Sequence, residues 1–119
     1  MRSTPCLKFA SMLTLSVLAL SGCKSLYVEA AVINATSMPI TLVEFDYPSA
    51  SFGTQKLAPG DTYHYRFKVL GSGPTKILWT DAAHHDHSLA GPSLREGQQG
   101  TITATITGPN AQWTTRLQP

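Results

Sequence analysis

From Val28 onward, polar and apolar residues alternate with a period of two, and turn-forming residues interrupt the alternation about every 8–12 positions. A period of two sends successive side chains to opposite faces of a sheet, so the pattern predicts strands. The expected strands are Val28 to Asn34, Ile40 to Tyr47, and Phe52 to Leu57 before the turn Ala58-Pro59-Gly60-Asp61. Asp61 to Leu70 is the clearest of them: Tyr63, Tyr65, Phe67 and Val69 alternate with Thr62, His64, Arg66 and Lys68. One of its faces is aromatic and the other polar and cationic, as in a half-buried antiparallel strand. Thr75 to Asp81 follows the breaker Gly71-Ser72-Gly73-Pro74, with Ile77 and Trp79 as expected core. A polar hairpin from Ala82 to His87 leads to Ser88–Ala90, which Gly91-Pro92 is expected to end. After a polar loop from Leu94 to Gly100, Thr101 to Thr107 turns Ile102, Ala104 and Ile106 inward, and Gln112 to Leu117 closes the series with Trp113.

No stretch carries an apolar stripe at helical spacing, and the β-branched and aromatic content agrees with strands. The expected fold class is all-β, an antiparallel sandwich of 7–8 short strands in about 90 residues, which resembles the immunoglobulin-like sandwiches. The resemblance is one of architecture, because the Cys…Trp…Cys signature of true immunoglobulin domains is missing, and a transthyretin-like sandwich fits the same count.

The chain ahead of Val28 has a different character. Arg2 and Lys8 give a positive start, Phe9 to Leu20 is mostly apolar, and Ser21 and Gly22 are small residues before Cys23. This is the three-part shape of an export signal. Twelve residues, interrupted by Ser11, Thr14 and Ser16, would span about 18 Å as a helix, short of a bilayer core of about 30 Å. Leu20-Ser21-Gly22-Cys23 resembles the lipobox of bacterial lipoproteins. That resemblance implies cleavage before Cys23, acylation of Cys23, and a domain organisation of signal peptide (1–22), lipidated cysteine and short tether (23–27), and one β-sandwich domain (28–119). It further implies anchorage to the cell envelope, and Lys24 after the cysteine points to the outer membrane, facing the periplasm. Two or more lipid chains give stable anchoring where one does not.

Removal of such a signal changes the electrostatics. The whole chain has 9 basic and 7 acidic residues. Arg2 and Lys8 leave with the signal, so the mature domain is close to neutral, and no Lys/Arg cluster marks a nucleic-acid footprint. Both cysteines, Cys6 and Cys23, stand in the signal and lipobox, which leaves the mature domain without a disulfide, a cysteine metal site or a thiol nucleophile.

Among candidate chemistry, His84-His85-Asp86-His87 is the sharpest local feature. On an extended chain His85 and His87 point the same way, and such a pair can ligate Zn²⁺, Cu²⁺ or Ni²⁺, with His84, Asp86 or His64 completing a site. The competing reading is a solvated hairpin. Glu44 and Asp46 share a strand face opposite Val43, Phe45 and Tyr47, so they read as a solvated pair that meets Arg66 and Lys68 across strands. Phe52, beside Gly53, is the aromatic expected to be exposed. Asn34-Ala35-Thr36 matches a glycosylation sequon, and Gly71-Ser72-Gly73 fits no phosphate-binding loop. No nucleophile-and-base arrangement is recognisable. The expectation is a non-enzymatic, membrane-anchored binding or structural module with no cofactor, whose partners are the membrane and an envelope protein docked on a sheet edge. The alternative is a Zn- or Cu-binding envelope protein using the histidines.

Overall fold

The structure is a computed structural model in which residues 26–119 are described. The export signal, the lipobox and Cys23 lie outside the described residues. Eight strands follow in chain order: β1 (Val28–Asn34), β2 (Ile40–Tyr47), β3 (Ala50–Leu57), β4 (Thr62–Phe67), β5 (Gly73–Thr80), β6 (Asp86–Leu94), β7 (Gln99–Ile106) and β8 (Ala111–Gln118). They form two four-stranded sheets, β4-β1-β7-β8 and β3-β2-β5-β6, packed as a sandwich, with no helix among the described residues.

All pairings are antiparallel except β1 with β7, which run parallel from Val28↔Gly100 to Asn34↔Ile106. The chain crosses between sheets after β1, β3, β4 and β6 and makes hairpins at β2–β3, β5–β6 and β7–β8. β1 and β2 therefore sit in opposite sheets, whereas a constant-type immunoglobulin domain keeps its first two strands as neighbours.

The core is built by the inward face of each strand. Val28, Ala30 and Val32 of β1 meet Ile102, Ala104 and Ile106 of β7 within one sheet, and Ile40, Val43, Phe45, Ile77 and Trp79 close over them from the other. Toward the β3–β4 side the core becomes aromatic. Phe52 stacks on Phe45 at 4.8 Å and on Tyr65 at 4.4 Å between ring centroids, with Tyr63 at 5.9 Å and Phe67 at 6.3 Å. Tyr47 lies 4.0 Å from Phe67, and Trp113 meets Phe45 edge-on at 5.6 Å. Phe52 is thus 8% exposed at the centre of a cluster that bridges the sheets, not the exposed aromatic its glycine neighbour led us to expect. Gly53 serves backbone approach instead: a Cβ there would stand 2.2 Å from the Val43 carbonyl oxygen.

Two bulges explain where strict alternation fails. In β2, Ile40 and Val43 are both buried although they stand three positions apart, which strict alternation would put on opposite faces. Against β5 the register steps from Thr41↔Thr80 to Glu44↔Leu78, so Leu42 and Val43 together oppose Trp79. Leu42 takes up the extra residue with φ of 49°, a left-handed conformation unusual for leucine. The second bulge lies in β6. Gly91-Pro92 does not end this strand; β6 continues to Leu94, and the register passes from Lys76↔Ala90 to Pro74↔Ser93. As an edge strand, β6 tolerates the missing proline N–H, and the buried Thr75 hydroxyl donates to the Pro92 carbonyl at 2.7 Å. Gly91 is required because a Cβ would stand 2.5 Å from both Thr75 Oγ1 and the Trp113 ring.

Truncating Phe52 removes the ring shared by both sheets. Phe52→Ala is expected to cost about 3–5 kcal/mol in urea unfolding, against less than about 1.5 kcal/mol for Leu42→Ala on the outer surface. Gly91→Ala is expected to destabilise by about 2 kcal/mol or more through overpacking, measured the same way.

Candidate functional site

The register separates the sandwich into two ends. Val28, Phe67, Gly100 and Leu117 lie level at the N-terminal end, while Asn34, Thr62, Ile106 and Ala111 lie level at the far end. The β5–β6 hairpin that carries the histidines is at the far end, beside the β1–β2 connection and the β7–β8 turn.

Asp81 organises this hairpin. Its Oδ1 accepts the backbone N–H groups of Ala83 at 2.9 Å and His85 at 3.0 Å, as an Asx turn does. Its own N–H donates to the His85 carbonyl at 2.9 Å, and the His84 N–H donates to the Asp81 carbonyl at 3.0 Å. Its Oδ2 bonds His87 Nε2 at 2.8 Å. An ionised carboxylate only accepts, so Nε2 carries that proton. The His87 ring in turn lies on Trp79, with centroids 5.0 Å apart and planes 20° apart. These hydrogen bonds to the charged form, His87's first among them and the backbone bonds next, hold the Asp81 carboxyl at about 2, below its usual 3.8.

The histidines do not form the expected i, i+2 pair. The turn, with His84 at φ of 66°, continues through His85, and β6 begins only at Asp86. Alternation therefore does not apply between His85 and His87. His87 packs on Trp79 with its side chain 19% exposed, whereas the His85 side chain is 76% exposed, with Nδ1 3.7 Å from Asp81 Oδ2. Asp86 accepts the Thr80 hydroxyl at 2.7 Å. His64 is on β4 of the other sheet, opposite Ala31. Among the described residues, no group of three or more His, Cys, Asp or Glu is placed to hold a metal ion. The carboxylate that meets the histidines, Asp81, is one that sequence spacing did not single out; the Asp-Ala-Ala-His turn was its only signal.

The other paired carboxylates also find different partners. Asp46 faces Lys76 at 3.9 Å, and Arg66 faces Glu29 at 3.7 Å. The Asp46 side chain, by hydrogen bonding first and by like charge second, pushes the Glu44 carboxyl up. These exposed pairs contribute about 0–1 kcal/mol each and organise no reaction site.

Asn34 has a different role from the sequon it resembles. It is fully buried. Its Nδ2 donates to the Met38 carbonyl at 2.9 Å and the Leu57 carbonyl at 3.0 Å. Its Oδ1 accepts the Thr36 N–H at 3.0 Å and hydroxyl at 2.6 Å. Its backbone carbonyl accepts the Gly60 N–H at 2.7 Å. One side chain thus fixes the β1–β2 connection against the β3–β4 turn, and its amide is unavailable for glycosylation.

Between these fixed loops lies a cavity of about 280 Å³, lined chiefly by Met38, Pro39, Ala82, Ala83 and Pro109 over Trp79, with Asp81 at its edge. It falls just below the roughly 300–1,000 Å³ of small-molecule sites, a size suited to one inserted side chain. Two hollows beside the bulged Leu42 are of similar volume, about 370 and 310 Å³, but include Glu44, Ser51, Thr54 and Asp86 and lie on an open sheet face. Of the three, the loop-end recess has the most apolar lining.

No protein-family model and no curated protein matches the chain. Among solved structures the chain is similar to the "NMR structure of the protein from Eubacterium rectale", with a TM-score of 0.54 and 10% identity over 78% of this chain and 93% of that one. At this identity the likeness shows the shared fold alone.

Two outcomes test the site's construction. A carbon-detected NMR titration is expected to place the Asp81 carboxyl midpoint at about 2, and His87→Phe to return it toward 3.8. Because the folded value is depressed, Asp81's contribution to stability is complete above about pH 4 and is lost as pH falls through about 2. Asn34→Ala, which strands two carbonyls and the Thr36 N–H, is expected to cost about 2–3 kcal/mol in chemical unfolding.

Proposed function

We propose that this protein is a non-enzymatic, lipid-anchored binding module of the bacterial cell envelope, acylated at Cys23, with its far loop end presented to a partner. The observation that carries this reading is how near the folded body comes to Cys23 along the chain. The Gly100 N–H donates to the Tyr27 carbonyl at 3.3 Å, and Arg66 and Lys68 stand 4.5 and 5.4 Å from the Tyr27 ring, so the folded domain extends to within four residues of Cys23. The end of the sandwich bearing the apolar cavity is then the end farthest from the lipid.

Charge supports the same orientation. Asp61, Asp81 and Asp86 stand at the far end with Lys56 as the one Lys or Arg there among the described residues. An apolar recess with an acidic rim fits a protein segment that offers one apolar side chain flanked by Lys or Arg. The sheet edges offer a second mode, strand addition, for which β8 is suited: it is eight residues long, free of proline and bulges. The best-organised acid, Asp81, is engaged in holding its hairpin, which supports binding over catalysis. For a metal-binding role the nearest arrangement is His85 and His87 about Asp81, which among the described residues is not a group placed to hold a metal ion.

Photo-cross-linking in native membranes tests this reading. A cross-linker at Ala83 or Pro109 is expected to give a discrete adduct with another envelope protein, absent at Gln118 on the opposite end. Met38→Glu, which puts a like charge beside the acidic rim, is expected to lower the adduct yield about ten-fold. Uniform monomer at all three positions overturns the binding role, and a Cys23→Ser protein that stays with the membrane overturns the anchor.

A further inference from the structure

The N-terminal end of the sandwich carries its own surface chemistry. Leu70 and Leu26 are the two most exposed large apolar residues among those described, at 68% and 62%. The antiparallel pairing Val28↔Phe67 puts both at the N-terminal end of the sandwich, since Leu26 lies two residues before Val28 and Leu70 three after Phe67. The segments that bear them are held by the fold. Tyr27 is tied to β7 through Gly100, the Gly97 N–H donates to the Val69 carbonyl at 3.0 Å, and the Glu96 N–H donates to Ser72 Oγ at 3.0 Å. Residues 26–27, 68–72 and 95–98 thus form one continuous rim.

Cations surround this rim. Arg66 and Lys68 stand over Tyr27, Arg95 is exposed in the 95–98 loop, Lys76 lies on β5, and Arg116 sits opposite Thr101 near the end of β8. Five of the six described Lys and Arg residues are therefore in the N-terminal half, against Glu29, Asp46 and Glu96. The far half reverses the balance, with Lys56 against three aspartates, and Glu44 lies near mid-height. A near-neutral domain is in this way divided into a cationic half and an anionic half.

We propose that the N-terminal end docks onto an anionic phospholipid surface, with Leu26 and Leu70 seated among the headgroups and Lys68, Arg66 and Arg95 facing the phosphates. The proposal rests on the lipid-anchor reading and adds an orientation to it. Between Cys23 and Tyr27 only Lys24, Ser25 and Leu26 intervene, a reach of at most about 14 Å over four Cα steps. That maximum exceeds the electrostatic screening length of about 8 Å at physiological ionic strength, so the tether lets the cationic rim reach the field of the headgroups, and the contact itself holds it there. Apolar residues ringed by Lys and Arg are the pattern of interfacial membrane contact. The anionic half faces away, which removes its repulsion from the surface and fixes which end points outward.

The test uses the full lipidated protein in vesicles of phosphatidylcholine with or without phosphatidylglycerol. An environment-sensitive fluorophore is placed on a cysteine at Leu70 or, as control, at Ala83, and its access to an aqueous quencher is measured. With phosphatidylglycerol, position 70 is expected to be about five-fold less quenchable than position 83, and Lys68→Glu with Arg95→Glu to abolish the difference. Equal quenching at both positions, in protein that floats with the vesicles, overturns the docking while leaving the anchor intact. Equal protection with and without phosphatidylglycerol overturns the assignment to anionic headgroups. Protein that carries no acyl chain on Cys23 and does not float overturns the anchor reading and the docking together.

Discussion

The structure depends on apolar packing between two sheets that no disulfide joins. On the β3–β4 side that packing is concentrated in the Phe52 ring, which touches aromatic residues from both sheets. Aromatic pairs at these distances contribute about 0.5–1.5 kcal/mol beyond the area they bury, so a shared ring is an efficient bond between layers. Other features follow from seating it. Gly53 lets the β2 backbone approach, and Leu42 accepts a left-handed conformation so that both Ile40 and Val43 can face inward. On the opposite side Trp113 reaches over the bare backbone of Gly91 and meets Phe45 edge-on, which closes that margin of the sandwich.

The crossing pattern gives the molecule its polarity. Because β1 lies between β4 and β7 with its first residue level with Phe67 and Gly100, the chain enters at one end and all three loops lining the apolar cavity are at the other. Asn34 and Asp81 stabilise that loop end by the same device, a buried or half-buried side chain that satisfies several backbone groups at once. Neither contributes much apolar area. Their value lies in making loops rigid enough to hold a recess open.

Much of the fold was legible in the sequence, because period-two burial is a direct consequence of strand geometry. The bounds of β1 and β2 are as the alternation predicts. The errors have local causes. The expected end of β6 at Gly91-Pro92 assumed a regular ladder, whereas an edge bulge admits both residues. Phe52 looked exposed because Gly53 stands beside it, yet that glycine makes room for the β2 backbone while the ring turns inward. Strand alternation could not place His85 relative to His87, because His85 precedes β6 and belongs to the turn. Asn34 and Asp81 were not legible as organising residues, since their partners are backbone groups up to 23 positions away and carry no side-chain signature.

The pairing of β7 with β8 places Gln118 opposite Gln99, level with the start of β1. Both ends of the folded domain therefore leave from one side, so it is held like a cup by its handle. A reporter fused after Pro119 would crowd the surface beside Tyr27, while one inserted between Ala82 and His84 would stand at the opposite pole. Labels at the two positions would report different surroundings on the same molecule, and a functional fusion must be chosen with that geometry in mind.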